Sequence, residues 1–189
     1  MTAKYMRKLM GSKVFDNPKD HEEIARIVEY ATGSDPDALV MDFFAGSGTT
    51  GHSVWALNAQ DEGHRRWVLV QLPERLDPSN KDQRAAGSFC DSIKKPRNIA
   101  ELTKERLRRA AARIREDHPD FLGDLGFRVF KLAPSNIRAW EPEANDFEGT
   151  LWKYSEHLIP GRTEQDVLYE LLLKLGLDLC VPIERRTVA

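Results

Sequence analysis

The sequence predicts an α/β fold built on a partial parallel sheet flanked by helices, and three observations carry that expectation. The run Ala38-Leu39-Val40-Met41-Asp42-Phe43-Phe44 is almost continuously apolar and of strand length, the pattern of a strand covered on both faces, as parallel strands are. Gly46-Ser47-Gly48-Thr49-Thr50-Gly51 follows at once and opens a helical pattern with Val54, Trp55 and Leu57 inward. A second apolar run, Trp67 to Leu72, stops at Pro73 and completes a strand–helix–strand crossover, which is parallel and right-handed in nearly all proteins.

The remaining elements follow from spacing. Residues 20–31 place Ile24, Ile27, Val28 and Ala31 on one face, a helix entered from the Asn17-Pro18 turn and ended near Gly33. The stretch 73–96 is polar and reads as a long loop. Residues 97–117 read as a helix, because Ile99, Thr103, Leu107, Ala110 and Ile114 recur every three or four positions. Phe127 to Leu132 alternates with period two and predicts a strand with one wet face, and 163–175 predicts a last helix. After Pro182 the text stops without cap or tail composition, and a continuing natural polypeptide is expected.

Composition bounds the class. The chain has 189 residues, 28 Lys+Arg against 30 Asp+Glu, 41% hydrophobic and 31% charged, which suits one ordinary globular domain rather than a disordered chain. A net charge of −2 supplies no overall pull toward nucleic acid, so any such contact needs a local basic patch. The two cysteines, Cys90 and Cys180, show neither a disulfide framework nor metal-ligand spacing, and the five histidines are scattered. The first fifteen residues lack a signal-peptide core, and no run approaches the roughly 18 apolar residues of a membrane span. A cytoplasmic protein without resident metal is expected.

The chemistry concentrates in Asp42-Phe43-Phe44-Ala45-Gly46-Ser47-Gly48-Thr49-Thr50, a strand running into a glycine turn that opens a helix. Glycines let a ligand approach the backbone, and free N–H groups at a helix start favour electron-rich ligand atoms. A nucleotide-like ligand is expected. Gly46, Gly48 and Gly51 satisfy the dinucleotide pattern GxGxxG, which leaves an NAD-dependent oxidoreductase as one alternative. A triphosphate-binding loop is disfavoured, since Thr49 stands where its lysine would be. Because neighbours on a strand point to opposite faces, one of Phe43 and Phe44 can simply be core.

The segment DFFAGSGTT resembles motif I of S-adenosylmethionine-dependent DNA amino-methyltransferases, in the permuted group that carries this motif toward the C-terminus. Phe15-Asp16-Asn17-Pro18-Lys19 resembles that group's F-x-N-P-K motif X, although Asp20 replaces the usual next proline. Further likeness runs through Leu57-Asn58, Val70-Gln71-Leu72-Pro73-Glu74, Glu105-Arg106, Gly126 to Phe130, Ser135-Asn136, Trp140 and Leu171 to Gly176. Together these resemble the modification subunit of type III restriction–modification systems over nearly the whole chain. The resemblance implies a Rossmann-like methyltransferase fold, with residues 1–132 as an S-adenosylmethionine-binding half-domain. Residues 133–189 would be an irregular segment plus helix, leading toward an absent extension.

By that resemblance Phe15, Asn17, Pro18, Lys19, Asp42, Phe43, Phe44, Ala45, Gly46, Gly48, Thr49 and Thr50 line the donor site. The second strand of such enzymes offers a carboxylate to the donor ribose; here Gln71 stands there, and either its amide or Glu74 takes that role. Methyl transfer to an amino nitrogen also needs a Pro-Pro-aromatic loop to hold the flipped base. No Pro-Pro dipeptide occurs in the sequence. The chain is therefore expected to be the donor-binding portion of a DNA adenine-N6 methyltransferase and inactive by itself. The complete enzyme would act on double-stranded DNA, with a missing N-terminal catalytic and recognition region, a homodimeric partner and a restriction subunit. A non-catalytic interaction fragment is the other alternative.

Lys94 to Arg115 holds nine Lys/Arg and two acids. Such a face can neutralise DNA phosphates or be an ordinary solvated helix face. Trp140 and Trp152 can stack on bases or anchor packing.

Overall fold

The computed structural model describes residues 2–33, 35–140, 145–146, 149 and 157–187; Trp152 lies outside them. The described chain falls into two compact units, Met1–Gly126 and Phe127–Ala189.

The first unit contains helices α1 (Thr2–Met10), α2 (His21–Thr32), α3 (Thr49–Asp61), α4 (Arg84–Ser92) and α5 (Ile99–Asp117), with strands β1 (Leu39–Asp42) and β2 (Arg66–Leu69). β1 and β2 pair in parallel, Leu39 opposite Arg66 and Asp42 opposite Leu69, as the crossover reading requires. The mixed helix and strand content with a small parallel sheet is that of an α/β protein. Helix starts are set by their caps. Asp20 accepts the Glu22 N–H at 3.0 Å and Asn98 accepts the Glu101 N–H at 2.9 Å, each satisfying a donor that the first turn leaves open. Asp20 thus has a structural use where the resembling motif has proline. Gly33, at φ 55°, ends α2 in a backbone region that glycine enters without steric cost.

α3 is the central element of this unit. Val54, Trp55 and Leu57 are buried as the sequence predicts, and His52, Ser53 and Asn58 are buried with them, so α3 is covered nearly all round. Val28, Val54 and Leu57 form one apolar cluster with Ile24, Val40 and Trp67 against it. A second cluster joins Met6, Met10, Val14, Phe89, Cys90 and Leu102. Asn58 ties the far end of α3 to the start of β2: its Nδ2 donates to the Arg65 carbonyl at 2.9 Å and its Oδ1 accepts the Arg65 N–H at 3.2 Å.

Three expectations are corrected. The 73–96 stretch is not all loop, because α4 occupies Arg84–Ser92; its Ala86, Phe89 and Cys90 bury at helical spacing within an otherwise polar text. β1 is not covered on both faces. Val40 and Trp67 turn inward while Leu39, Met41 and Val68 stay exposed, since helices of this unit cover one side of a two-stranded sheet. Phe127 to Leu132 forms no regular strand: among the described residues it has no ladder partner, and alternation alone cannot satisfy a strand's backbone groups.

The second unit centres on α6 (Glu164–Lys174). Thr163 and Asp166 make a reciprocal capping box at its start. The Asn136 N–H donates to Glu170 at 2.6 Å, and Asn136 Nδ2 to the Asp166 carbonyl at 3.0 Å. Arg128 donates to the Val181 carbonyl at 3.3 Å, and Phe130 meets Tyr169 edge to face at 5.0 Å.

Leu107 is buried beneath the α3 start. Leu107→Ala is expected to cost about 2–5 kcal/mol, whereas Leu132→Ala, at a fully exposed residue, should stay within about 0.5 kcal/mol. Urea denaturation of both variants checks the difference.

Candidate functional site: the glycine turn at the end of β1

The turn forms because Asp42 holds both of its ends. Its Oδ1 accepts the Phe44 N–H at 3.0 Å and its Oδ2 accepts the Thr50 hydroxyl at 2.6 Å. β2 continues the support: the Val70 N–H donates to the Asp42 carbonyl at 2.8 Å, and the Ala45 N–H to the Val70 carbonyl at 3.1 Å. Gly46 and Gly48 have φ of 51° and 75°, conformations that side-chain-bearing residues rarely adopt.

The glycines differ in what they face. A Cβ at Gly48 would lie 2.9 Å from Thr103 Cγ2, and one at Gly51 would lie 3.1 Å from Leu107, Leu69 and Trp67 side chains. Those two positions admit α5 and β2 against the α3 start. Gly46 has only its neighbour Phe44 carbonyl oxygen within reach, at 3.7 Å, so its open side is the one a ligand can approach.

Phe43 and Phe44 are 62% and 90% exposed, so neither is core: β1 ends at Asp42, and both rings lie on the turn rather than on alternating strand faces. Asp42, Phe43, Phe44 and Thr50 share the rim of one groove of about 400 Å³, whose wall is Ile24, Ile27, Val28, Ala31, Val40 and Met41. That volume lies within the range of small-molecule sites. Gln71 Oε1 accepts the Gly46 N–H at 2.7 Å while its Nε2 donates to the Leu72 carbonyl at 3.0 Å. The Glu74 side chain is exposed, and its carbonyl accepts the Ile99 N–H. Phe15 packs on the α1–α4 cluster, Pro18 is half-buried, and Asn17 and Lys19 are exposed. This segment is fastened near the turn one step later, where Ser53 Oγ donates to the His21 carbonyl at 2.8 Å.

Arg106 is the residue whose role the sequence concealed. It sits in the basic stretch and belongs to the Glu105-Arg106 pair, yet its side chain is 0% exposed. Nη1 donates to the Ser47 carbonyl at 3.0 Å and to Thr49 Oγ1 at 2.9 Å, and Nη2 meets His52 Nδ1 at 3.3 Å. Burial lowers its pKa to about 10, which leaves it charged at neutral pH. His52 is held well below the ordinary histidine range by burial and by the Arg106 charge. Neutral His52 therefore accepts from Arg106, and its ring stacks on His21 at 4.2 Å, with Tyr5 beyond at 4.6 Å.

The rest of that basic stretch is largely neutralised. Lys104 pairs with Glu101, Arg108 and Arg109 with Glu105, Arg113 with Glu116 and Asp117, and Arg97 with Asp91. Among the described residues no three His, Cys, Asp or Glu side chains are grouped to hold a metal ion, and no helix is long and apolar enough to cross a membrane.

No family model matches the chain. It is, however, 38% identical over 125 residues to the type III restriction–modification enzyme StyLTI Mod subunit of Salmonella typhimurium, covering 66% of this chain and 18% of that protein. It is 39% identical over 114 residues to the type II methyltransferase M.KpnI of Klebsiella pneumoniae, covering 60% and 24%. With the type III enzyme EcoP15I Mod subunit of Escherichia coli it shares 36% over 121 residues, covering 64% and 16%. The class defined by fold and turn is thus an α/β protein similar to methyltransferases of restriction–modification systems. More narrowly, the chain is similar to part of the type III modification subunit, as its motifs led one to expect. It spans about a fifth of the length of these relatives.

Two outcomes test this geometry. Gly48→Ala, which needs a positive φ and meets Thr103 Cγ2, should lose roughly 1–2 kcal/mol, and adding Thr103→Ser should restore part of it in a double-mutant cycle. His52 and His21 both have folded pKa values below 6.5, chiefly through burial, then through Arg106; Asp20 and Glu22 oppose this only at His21. The unfolded chain therefore binds more protons as pH drops. Stability should be fully present above about pH 6.5 and fall below it, by at most about 1.4 kcal/mol per pH unit for each histidine. His52→Gln should flatten that slope in thermal melts between pH 7 and 5; an unchanged slope would contradict the assignment.

Proposed function

We propose that the first unit is the S-adenosylmethionine-binding portion of a type III modification subunit, with a Rossmann-like methyltransferase fold, acting in DNA adenine-N6 methylation. The observation that carries this reading is the glycine turn at the carboxyl end of β1, with Gly46 open to a ligand and Asp42, Phe43, Phe44 and Thr50 around one groove. Ligands of open parallel sheets bind at the carboxyl ends of the strands. Similarity to methyltransferases supports a methyl donor in particular.

In this reading Phe43 and Phe44 give apolar contact to the donor, and Gly46 admits its backbone approach. Thr49 and Thr50 stand at the helix start, and Phe15, Asn17, Pro18 and Lys19 form the far wall. Gln71 takes the ribose corner in preference to Glu74, since its amide already faces the turn. The target adenine is flipped from double-stranded DNA into a site supplied by another part of the enzyme. Its amino nitrogen attacks the donor methyl carbon, the carbon–sulfur bond breaks toward sulfur, and the nitrogen loses a proton as S-adenosylhomocysteine forms. Orientation of the two partners is the main contribution of the protein.

The exposed Leu39, Met41, Val68, Val70 and Leu72 make an apolar strip that in this reading is covered by the remainder of the enzyme. Homodimeric assembly, a restriction subunit and a cytoplasmic location belong to the same proposal. One observation favours a second reading: Gly51 packs α3 closely on β2, as the last glycine of a dinucleotide fingerprint does.

Calorimetric titration separates the readings. The chain is expected to bind S-adenosylhomocysteine and not NAD; the opposite preference would establish the oxidoreductase alternative. Gln71→Ala should weaken that binding roughly tenfold and Glu74→Ala much less, given one lost charge-free hydrogen bond at the turn. Tritiated methyl incorporation into duplex DNA should be absent for the chain alone and appear when a polypeptide carrying the catalytic loop is supplied. Incorporation by the chain alone would contradict the proposal.

A further inference from the structure

We infer that Arg106 is a positioning residue for the carboxylate of the donor's zwitterionic amino-acid end, an inference that rests on the donor-binding reading and assigns that corner of the site its electrostatic sign. Buried guanidinium groups are ordinarily matched by carboxylates, because an unpaired charge in a poorly polarisable interior is costly. Arg106 has no acid within ion-pair distance among the described residues. Its partners are the Ser47 carbonyl, the Ser47 and Thr49 hydroxyls and neutral His52, and its buried Nε–H finds no acceptor. Glu105, its neighbour in sequence, is occupied by Arg108 and Arg109.

A full positive charge therefore lies one hydrogen bond beneath the Gly46-to-Thr49 loop, shielded from water and so weakly screened. The α3 helix of thirteen residues begins at Thr49 and adds the positive end of its dipole at the same place. The two fields reinforce each other toward the outer face of the turn. A ligand group that carries negative charge there completes the missing ion pair across the loop without touching the guanidinium. The amino-acid carboxylate of the donor is such a group, whereas its adenosine end is uncharged. Arg106 acts through the backbone that it clamps: it fixes the Ser47 peptide and the Thr49 hydroxyl, and its charge selects a carboxylate-bearing ligand.

The test compares two ligands on the intact chain, S-adenosylhomocysteine and 5′-methylthioadenosine, which lacks the amino-acid portion. Arg106→Met should weaken S-adenosylhomocysteine by about tenfold or more and leave 5′-methylthioadenosine within about twofold, the expectation for loss of one nearby charge. Arg106→Lys, which keeps the charge and loses the fork, should preserve the discrimination. Equal weakening of both ligands in Arg106→Met would reduce Arg106 to a structural support and overturn the inference while leaving the donor reading intact. Should the Met variant fail to fold, the wild-type chain decides: it should bind S-adenosylhomocysteine at least tenfold more tightly than its carboxyl methyl ester, and equal affinity overturns the inference. Binding of neither nucleoside by the wild-type chain overturns the donor reading and this inference with it.

Discussion

The constraint on which the first unit depends is the close packing of α5 against the glycine turn. The Thr103 hydroxyl donates to the Gly46 carbonyl and to its own helix at Ile99, Leu107 fills the space left by Gly48 and Gly51, and Arg106 clamps Ser47 and Thr49 from below. Each contact requires the others. A side chain at Gly48 would push Thr103 outward, and Arg106 would then lose its register with the loop. The turn has its positive-φ conformation because α5, whose Thr103 and Arg106 lie 57 and 59 residues beyond Gly46 and Ser47, holds it from one side. The peptide groups that α5 fastens, at Gly46 and Ser47, lie in the loop between Phe44 and Thr50, both of which line the groove.

Much of this was legible in the sequence, and the legible parts share a cause. Strong local periodicity marked α2 and α5, and the glycine spacing marked the turn and the start of α3, because burial and positive φ leave direct traces in residue type. What escaped were features that depend on distant partners. β1 looks buried on both faces by its residues alone, but exposure of Leu39 and Met41 depends on which elements lie above the sheet. Arg106 resembles any other cation on a basic helix. Only packing distinguishes it from Arg109, which pairs with Glu105 and caps the Met10 carbonyl. One signal was available: Arg106 lies three residues beyond Thr103 and four before Ala110, on the buried stripe of its own helix. α4 was missed because one alanine, a glycine, a cysteine and a single large side chain, Phe89, carry its buried face, a weak apolar signal inside a polar segment.

Electrostatics around the turn form one coupled system. Arg106 keeps its charge, His52 gives up its own, and His21 and Tyr5 extend the ring stack outward. The result is a buried cation surrounded by neutral acceptors, at the position where a parallel sheet presents its ligand. The apolar strip of Leu39, Val68, Val70 and Leu72 concerns what covers the sheet rather than what the turn binds, and Met41 belongs to both the strip and the groove wall. Relatives about four times as long contain ample chain to cover it.

The central claim is that the glycine turn at the end of β1 is where the donor binds, and backbone amide shifts measure this residue by residue. In a titration of the isotope-labelled chain with S-adenosylhomocysteine, the largest perturbations should fall on Phe44, Ala45, Gly46, Ser47 and Thr49, with a smaller response at Gln71. Perturbations confined to other segments, or saturation that leaves the Gly46 and Ser47 amides unmoved, would contradict the account.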